Sequence, residues 1–309
     1  MATETFPLVV EKVNKHLGST HVIKDMSFSL ERGMIYGFLG PNGSGKTTTI
    51  RMIVSLIAPN SGEVYIEGSS IKTEREKALK HIGAIVENPD LYLYLTGMQN
   101  LRQFAQMSAE RISEERFEEV IRLVELEHAI HKKVKKYSLG MKQRLGIAVS
   151  ILHRPSVLIL DEPTNGLDPK GIRDLRDYLR KLARDEGVTL LVSSHQLNEI
   201  EVLCDRAIVI NDGTVVDELH MGTNKQSHEQ MTITIEAEPV EKAATLLQPL
   251  GATKQTERGL EIEGQLYDAI PQLVRTLTEN DVSIYAISYQ KRLEDAYFSL
   301  TEEKRGNAT

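Results

Sequence analysis

The sequence is poor in cysteine, in surplus basic charge and in long apolar runs, and each shortage narrows what the chain does. Cys204 is the one cysteine among 309 residues. It has no internal disulfide partner, so it reads as a small filler of the core in a reducing compartment. Lys and Arg total 37 against 44 Asp and Glu, a formal net charge of −7, which argues against a dedicated nucleic-acid binder. No apolar run approaches the roughly 20 residues needed to span a bilayer. Val157-Leu-Ile-Leu160, for example, ends at once in acids. The opening MATETFPLVVEK lacks the basic-then-apolar pattern of a signal peptide, so any membrane process is expected to need a separate spanning subunit. The 9 histidines and the cysteine show no metal-ligand spacing. The chain also has no internal repeat, no low-complexity tract and no extended heptad region.

What is present suits a globular protein. Hydrophobic residues make up 40% and charged residues 26%, enough to bury a core without disulfides or metals. The length fits one large and one small domain. Residues 7–13 and 22–38 read as strands, with an apolar run at 34–39 ending at Gly40. A helix begins at Thr47, carrying Ile50, Ile53, Val54 and Ile57 on one face, and Pro59 stops it. Residues 62–66 and 81–86 read as a strand pair. Residues 97–153 read as wholly helical, with Ser138 as the cap of the last helix and Leu145, Ala148, Val149 and Leu152 as its buried face. Residues 157–160, 188–192 and 207–210 read as buried strands of a parallel sheet. Between the first two, Asp168-Pro169 opens a helix that Gly187 closes. Alternating strands and helices predict an α/β fold with a mainly parallel sheet. Residues 223–230 read as a linker. Residues 231–301 read as β-α-β-β-α-β, a small ferredoxin-like α+β domain, and 302–309 as a disordered tail.

Three segments carry chemistry. Gly40-Pro41-Asn42-Gly43-Ser44-Gly45-Lys46-Thr47, followed by Thr48, fits the G-x-x-x-x-G-K-[ST] phosphate loop. Gly43 and Gly45 let backbone N–H groups turn inward, and the following helix aims its N-terminus at phosphate. Lys46 reaches the β- and γ-phosphates, and the Thr47 hydroxyl suits Mg²⁺. The second segment is the apolar run ending in Asp161 and Glu162. Asp161 there is placed to hold Mg²⁺ through water, and Glu162 to orient and deprotonate an attacking water. Third, residues 188–195 end in His195 at the mouth of the same sheet, where it is either structural or within reach of the γ-phosphate. The reading so far is a protein that binds a nucleoside triphosphate and Mg²⁺.

Tyr137-Ser138-Leu139-Gly140-Met141-Lys142-Gln143-Arg144 is a segment that ordinary phosphate-loop enzymes do not require. It resembles the signature of the ATP-binding-cassette (ABC) family, and the order of the phosphate loop, signature, acids, Asp168 and His195 resembles that family over residues 8–220. The resemblance implies a P-loop NTPase fold of ABC type over residues 1–222. Its expected parts are an N-terminal antiparallel β subdomain and an inserted helical subdomain at about 90–155. It further implies a head-to-tail dimer, either a homodimer or a pairing with a second ABC ATPase. Ser138 and Gly140 of one copy would then meet the γ-phosphate held by Lys46 of the other, with His195 hydrogen-bonding that phosphate and Asp168 either a nucleotide-binding residue, a helix cap, or both. A polytopic membrane permease is the implied partner, no nucleic acid is expected, and the implied location is the cytoplasmic face of the membrane. Leu293 to Thr301 resembles the tail of exporter ATPases of this kind.

Three departures stand out. Leu139 and Met141 replace the usual glycine and glutamine of the signature. Leu17 lies where an aromatic usually stacks on adenine, leaving His16 as the candidate. Glu87, in Ile82-Gly-Ala-Ile-Val-Glu87-Asn-Pro, stands where glutamine is usual, and the residues leave open whether it ligates Mg²⁺ or is only a loop acid. The signature and Glu87 resemble the bacitracin and lantibiotic self-protection branch, which implies a peptide-antibiotic exporter. The neighbouring residues 89–96, with Tyr92 and Tyr94, either receive a coupling helix of the permease or anchor the loop. Two alternatives remain: a soluble ABC ATPase acting on nucleic acid or ribosomes, and a nucleotide-gated regulatory subunit. The basic run 131–136 reads as a solvated helix face.

Overall fold

The computed structural model describes residues 6–108, 111–221, 231–251, 253–256 and 259–291. The chain forms two compact units, Met1–Met221 and Gly222–Thr309. The expected linker at 223–230, the exporter-like tail at 293–301 and the expected disorder at 302–309 lie outside the described residues.

The first unit opens with a hairpin, β1 (Leu8–Leu17) and β2 (Thr20–Leu30), then β3 (Ile35–Leu39) and helix α1 (Lys46–Ile53). There follow β4 (Ser61–Ile66), β5 (Ser69–Ser70), α2 (Arg75–Leu79) and β6 (Ile82–Ile85). Three helices come next, α3 (Gly97–Ala105), α4 (Glu114–Leu123) and α5 (Leu139–Ile151). The unit closes with β7 (Val157–Asp161), α6 (Pro169–Glu186), β8 (Thr189–Ser194), α7 (Leu197–Leu203), β9 (Arg206–Asn211) and β10 (Thr214–His220). The central sheet runs β10-β9-β3-β8-β7-β6, with all neighbours parallel except the edge pair β9–β10. β3, β7 and β8 are buried along their whole length, as expected of strands covered on both faces. A second sheet, β2-β1-β4-β5, is antiparallel.

The second unit contains β11 (Met231–Glu238), α8 (Val240–Leu247), β12 (Thr253–Thr256), β13 (Gly259–Gln265), α9 (Ile270–Thr278) and β14 (Ser283–Lys291). Its antiparallel sheet has the order β12-β13-β11-β14, a ferredoxin-like arrangement. Ile233, Ile235, Leu260 and Ile262 of the sheet pack with Leu247, Leu273 and Leu277 of the helices.

Several expectations need correction. Residues 62–66 and 81–86 do not pair with each other. β4 joins the antiparallel sheet with alternating burial, while β6 lies beside β7 in the parallel one. Residues 97–153 are not wholly helical. Residues 130–135 run beside 93–98 through Met98 N–H to Ile130 O (2.9 Å), Val134 N–H to Leu95 O (2.9 Å) and Lys135 N–H to Leu93 O (2.9 Å). The backbone there spends its hydrogen bonds on a tertiary neighbour, so the helical spacing of its apolar residues does not yield a helix. The basic run 131–136 is therefore a turn and a short 3-10 helix, with exposed lysines around buried Val134. β10 escapes periodicity because its burial is shallow, yet Asp212-Gly213, both at positive φ, carries the usual hairpin signal. Cys204 is buried, and burial pushes its thiol up, as befits a core filler.

Candidate functional site

The phosphate loop leaves β3 and enters α1 through two glycines in left-handed conformations, Gly43 (φ 82°) and Gly45 (φ 105°). A Cβ on Gly45 would lie 2.5 Å from Ile23 Cδ1, so β2 presses directly on the loop. The Asp212-Gly213 turn, seated against β2, also ties the loop down: Gly213 N–H donates to Ser44 O (3.0 Å), and Lys24 N–H donates to Gly213 O (2.9 Å). Lys46 is only 6% exposed and folds back so that Nζ donates to Gly40 O (2.6 Å) and Pro41 O (3.2 Å). Burial pulls its ammonium below the ordinary lysine value, against the opposing charges of Glu162 and Asp161. Ser44 is 1% exposed, and its hydroxyl has no hydrogen-bond partner. A buried orphan hydroxyl beside a buried ammonium at a helix N-terminus fits a polyanion. Thr47 and Thr48 lie half-buried in the first turn of α1, while Pro41 is half-buried and Asn42 exposed.

The ends of β7 and β8 meet beside this loop. Asp161 and Ser193 are register partners in parallel strands. The Ser193 hydroxyl donates to Asp161 Oδ1 and accepts the Glu162 N–H at 2.9 Å. Glu162 takes a left-handed conformation (φ 47°), which turns its side chain out of the alternation that Asp161 follows. Its two oxygens are separately held: His195 Nδ1 lies 3.1 Å from Oε1, and Asn165 Nδ2 donates to Oε2 at 2.6 Å. Burial pushes this carboxyl up, but the Asn165 and His195 hydrogen bonds and the nearby His195 and Lys46 charges outweigh it, so it sits below the ordinary glutamate value. Glu162 is thus an oriented carboxylate, favoured in its ionised form, beside a buried lysine. Asp161 and the Thr47 hydroxyl are hard oxygen donors of the kind Mg²⁺ takes. Among the described residues no three His, Cys, Asp or Glu side chains gather as a metal cage. That suits an ion completed by phosphate oxygens and water rather than one caged by protein.

The remaining expected residues lie farther out. Ser138 caps α5, its hydroxyl accepting the Met141 N–H at 3.3 Å. Leu139 beside it is 48% exposed. A Cβ on Gly140 would meet, outside its own helix turn and among the described residues, only Leu167 Cδ2 at 3.7 Å. Asp168 caps α6 by accepting the Gly171 N–H at 2.8 Å. Glu87 is paired with Arg51 at the end of α1. His16 stacks on His21 across the hairpin, with centroids 4.0 Å apart and planes 9° apart, while Leu17 is exposed. In the 89–96 loop, Tyr92 is an anchor, against Phe104 and bonded through its backbone to buried Asn100, whereas Tyr94 is exposed.

Ser193 and Asn165 were not singled out by the sequence. A serine pair before the histidine and an asparagine three residues after the glutamate are weak signals until the strands are paired.

Residues 23–165 match the model of the ABC transporter ATP-binding domain. An uncharacterized ABC transporter ATP-binding protein of Bacillus subtilis, YhcH, is 45% identical over 96% of this chain and 97% of its own length. The bacitracin transport ATP-binding protein BcrA of Bacillus licheniformis is 44% identical over 67% of each chain. Among solved structures, a dimeric post-hydrolysis ATP-binding cassette bound to ADP and Pi superposes with a TM-score of 0.61 and 27% identity, covering 70% of this chain and 99% of that one. With the phosphate loop, the paired strand ends and the signature helix in one unit, the chain belongs to the ATP-binding subunits of the ABC transporter family and is an ATPase of that family.

Proposed function

We propose that this chain is the ATP-hydrolysing motor of an exporter whose translocation path is a separate polytopic permease, and that its cargo is a peptide antibiotic of the bacitracin or lantibiotic kind. No helix among the described residues is long and apolar enough to cross a membrane, which favours a separate spanning subunit and a place on the cytoplasmic face. The likeness to the bacitracin transport ATP-binding protein supports the cargo class.

The observation that carries the mechanism is the oriented Glu162 carboxylate between Asn165 and His195. Lys46 and the loop N–H groups hold the triphosphate. Thr47 and Asp161 would hold Mg²⁺, which would supply neutralising charge. Glu162 orients a water and takes its proton as the water attacks. His195 steadies the base and, on the phosphate side, the γ-phosphate. The outward tip of α5, Ser138 and Gly140, closes over the nucleotide of a second copy, or of a second ABC ATPase. ATP binds the closed pair better than the open one, and loss of the γ-phosphate removes that preference, which gives the cycle direction.

The test is capture of the full chain from membranes. Copurification of a polytopic membrane protein, with ATP-dependent pairing of the Glu162→Gln variant, is expected. Salt-sensitive nucleic-acid binding with no membrane partner would overturn the motor reading. Unchanged bacitracin and lantibiotic susceptibility in a strain lacking the gene would overturn the cargo.

A further inference from the structure

Four residues beyond His195, helix α7 carries Glu199 in its first turn. Acids there are common, because they face the positive end of the helix dipole, and Leu197, Ile200 and Leu203 explain the packing of the helix without it. The Glu199 carboxylate does something more specific. Its Oε2 accepts two hydroxyl hydrogen bonds, from Thr164 Oγ1 at 2.7 Å and from Ser194 Oγ at 2.7 Å. Thr164 is 3% exposed and Ser194 2% exposed, so water does not readily replace that acceptor.

The two hydroxyls belong to different strand ends. Thr164 lies in the turn after β7, between Glu162 and Asn165, and that turn is closed by Asn165 N–H to Glu162 O (3.2 Å) and Leu167 N–H to Thr164 O (3.0 Å). Ser194 is the last residue of β8 and directly precedes His195. It also accepts the Gln196 N–H at 2.9 Å, which fixes the bend into α7. One oxygen of Glu199 therefore ties together the segments that carry the base, its asparagine and its histidine. Ser193 makes the corresponding tie one residue earlier, to Asp161 and the Glu162 N–H. The register pairing of β7 with β8 ends at Asp161 and Ser193, and Glu162 beyond it holds a left-handed conformation that its surroundings must maintain.

We propose that Glu199 is a positioning residue for hydrolysis: by holding Thr164 and Ser194 on one carboxylate oxygen, it keeps the Glu162 carboxylate and the His195 imidazole in register. The proposal rests on the reading of Glu162 as the base. The charged acceptor makes both hydroxyl bonds strong ones. Its removal frees the two segments to part, and misplacement on the order of 1 Å is enough to cost a catalytic group about 100-fold.

Steady-state ATPase measurements on the full chain test this through a cycle of Glu199→Ala, Glu162→Gln and the double variant. Glu199→Ala is expected to lower kcat by about 10- to 100-fold while KM for ATP changes by less than about threefold. Glu199→Gln keeps an oxygen that accepts both hydroxyls and should restore kcat to within about threefold of the parent. Added to Glu162→Gln, the alanine change should cost less than about a further twofold. Unchanged kcat in Glu199→Ala, an equal loss in the glutamine variant, or multiplying losses in the double variant would each overturn the positioning role while leaving Glu162 as the base. Near-parental turnover in Glu162→Gln alone would instead remove the base reading, and this proposal with it. If Glu199→Ala does not fold, Ser194→Ala and Thr164→Val each remove one donor. A kcat loss of about three- to tenfold in each is then expected, and full activity in both would overturn the proposal.

Discussion

Two parts of the nucleotide apparatus are built in opposite ways. At the ends of β7 and β8, Asp161, Glu162, Ser193, Asn165 and His195 bond to one another within a single chain. At the tip of α5, Leu139 is largely exposed and the missing side chain of Gly140 faces almost nothing. The first region is complete by itself: its geometry is set before anything binds, as electrostatic preorganisation requires. On the reading proposed above, the second is half of a surface shared with another copy. Ser138 accepts the Met141 N–H with its hydroxyl and the Lys142 N–H with its carbonyl, which fixes the helix start. If this contrast is right, changes at the strand ends act on chemistry within one copy, and changes at the helix tip act on pairing.

The largest effect is expected at the closed region. Glu162→Gln should retain ATP binding while turnover falls by about 10²–10⁴-fold, the usual contribution of a positioned base. Near-parental hydrolysis in a single-turnover assay would remove Glu162 from that role. Next comes Lys46→Ala. It deletes the ammonium that now rests on Gly40 O and Pro41 O, and with it a charge-assisted bond to phosphate. ATP affinity should weaken by about 10- to 100-fold, corresponding to roughly 1.5–3 kcal/mol. An unaltered dissociation constant by calorimetry would contradict the loop assignment.

The same contrast explains what was legible beforehand. The phosphate loop could be read because each residue type follows from local backbone demands. So could α6, which runs from its Asp168 cap to Gly187 (φ 66°) as its capping residues indicate. Ser193, Asn165 and Glu199 could not be read, because their meaning comes from the parallel pairing of β7 with β8 and from the return of α7 against β8 and the turn after β7. A serine or glutamate at a strand or helix end is otherwise the commonest of surface residues. Residues 124–138 misled for a related reason. Leu126, Ile130 and Val134 are buried at helical spacing, yet backbone bonding beside 93–98 uses the groups a helix would need. Glu87 was left open by the residues, and the structure gives it Arg51 as a partner.

A glycine pair sharpens the comparison at the next level of effect. Gly45→Ala combines a left-handed φ of 105° with a Cβ placed 2.5 Å from Ile23 Cδ1, so it should destabilise the fold by roughly 1–3 kcal/mol. Gly140→Ala meets only a 3.7 Å contact. Within a helix the change is neutral or favourable by up to about 1 kcal/mol. Its thermal midpoint should therefore hold or rise while turnover falls on the order of tenfold, because the partner's nucleotide loses a close backbone approach. A Gly140→Ala protein that hydrolyses ATP normally would show that the tip is not half of a shared site.

The smallest effect lies in the pH dependence of Glu162. Its carboxyl is held below the ordinary value of 4.5, with Asn165 the largest of the causes that lower it. A depressed carboxyl contributes stability above its unfolded value and loses that contribution as pH falls through the folded one. The base is accordingly ionised throughout the neutral range, and the acid limb of kcat falls only below the ordinary glutamate range. Asn165→Ala removes the bond to Oε2 and leaves burial to push the carboxyl back up, so the acid limb should move to higher pH. At neutral pH the same variant should lose only a few-fold in kcat, since Glu162 remains charged and His195 still holds Oε1. A limb that stays where it was, measured beside an unchanged KM, would mean that Asn165 shapes the turn but not the base. The closed region would then owe its acidity to His195 and Lys46 alone.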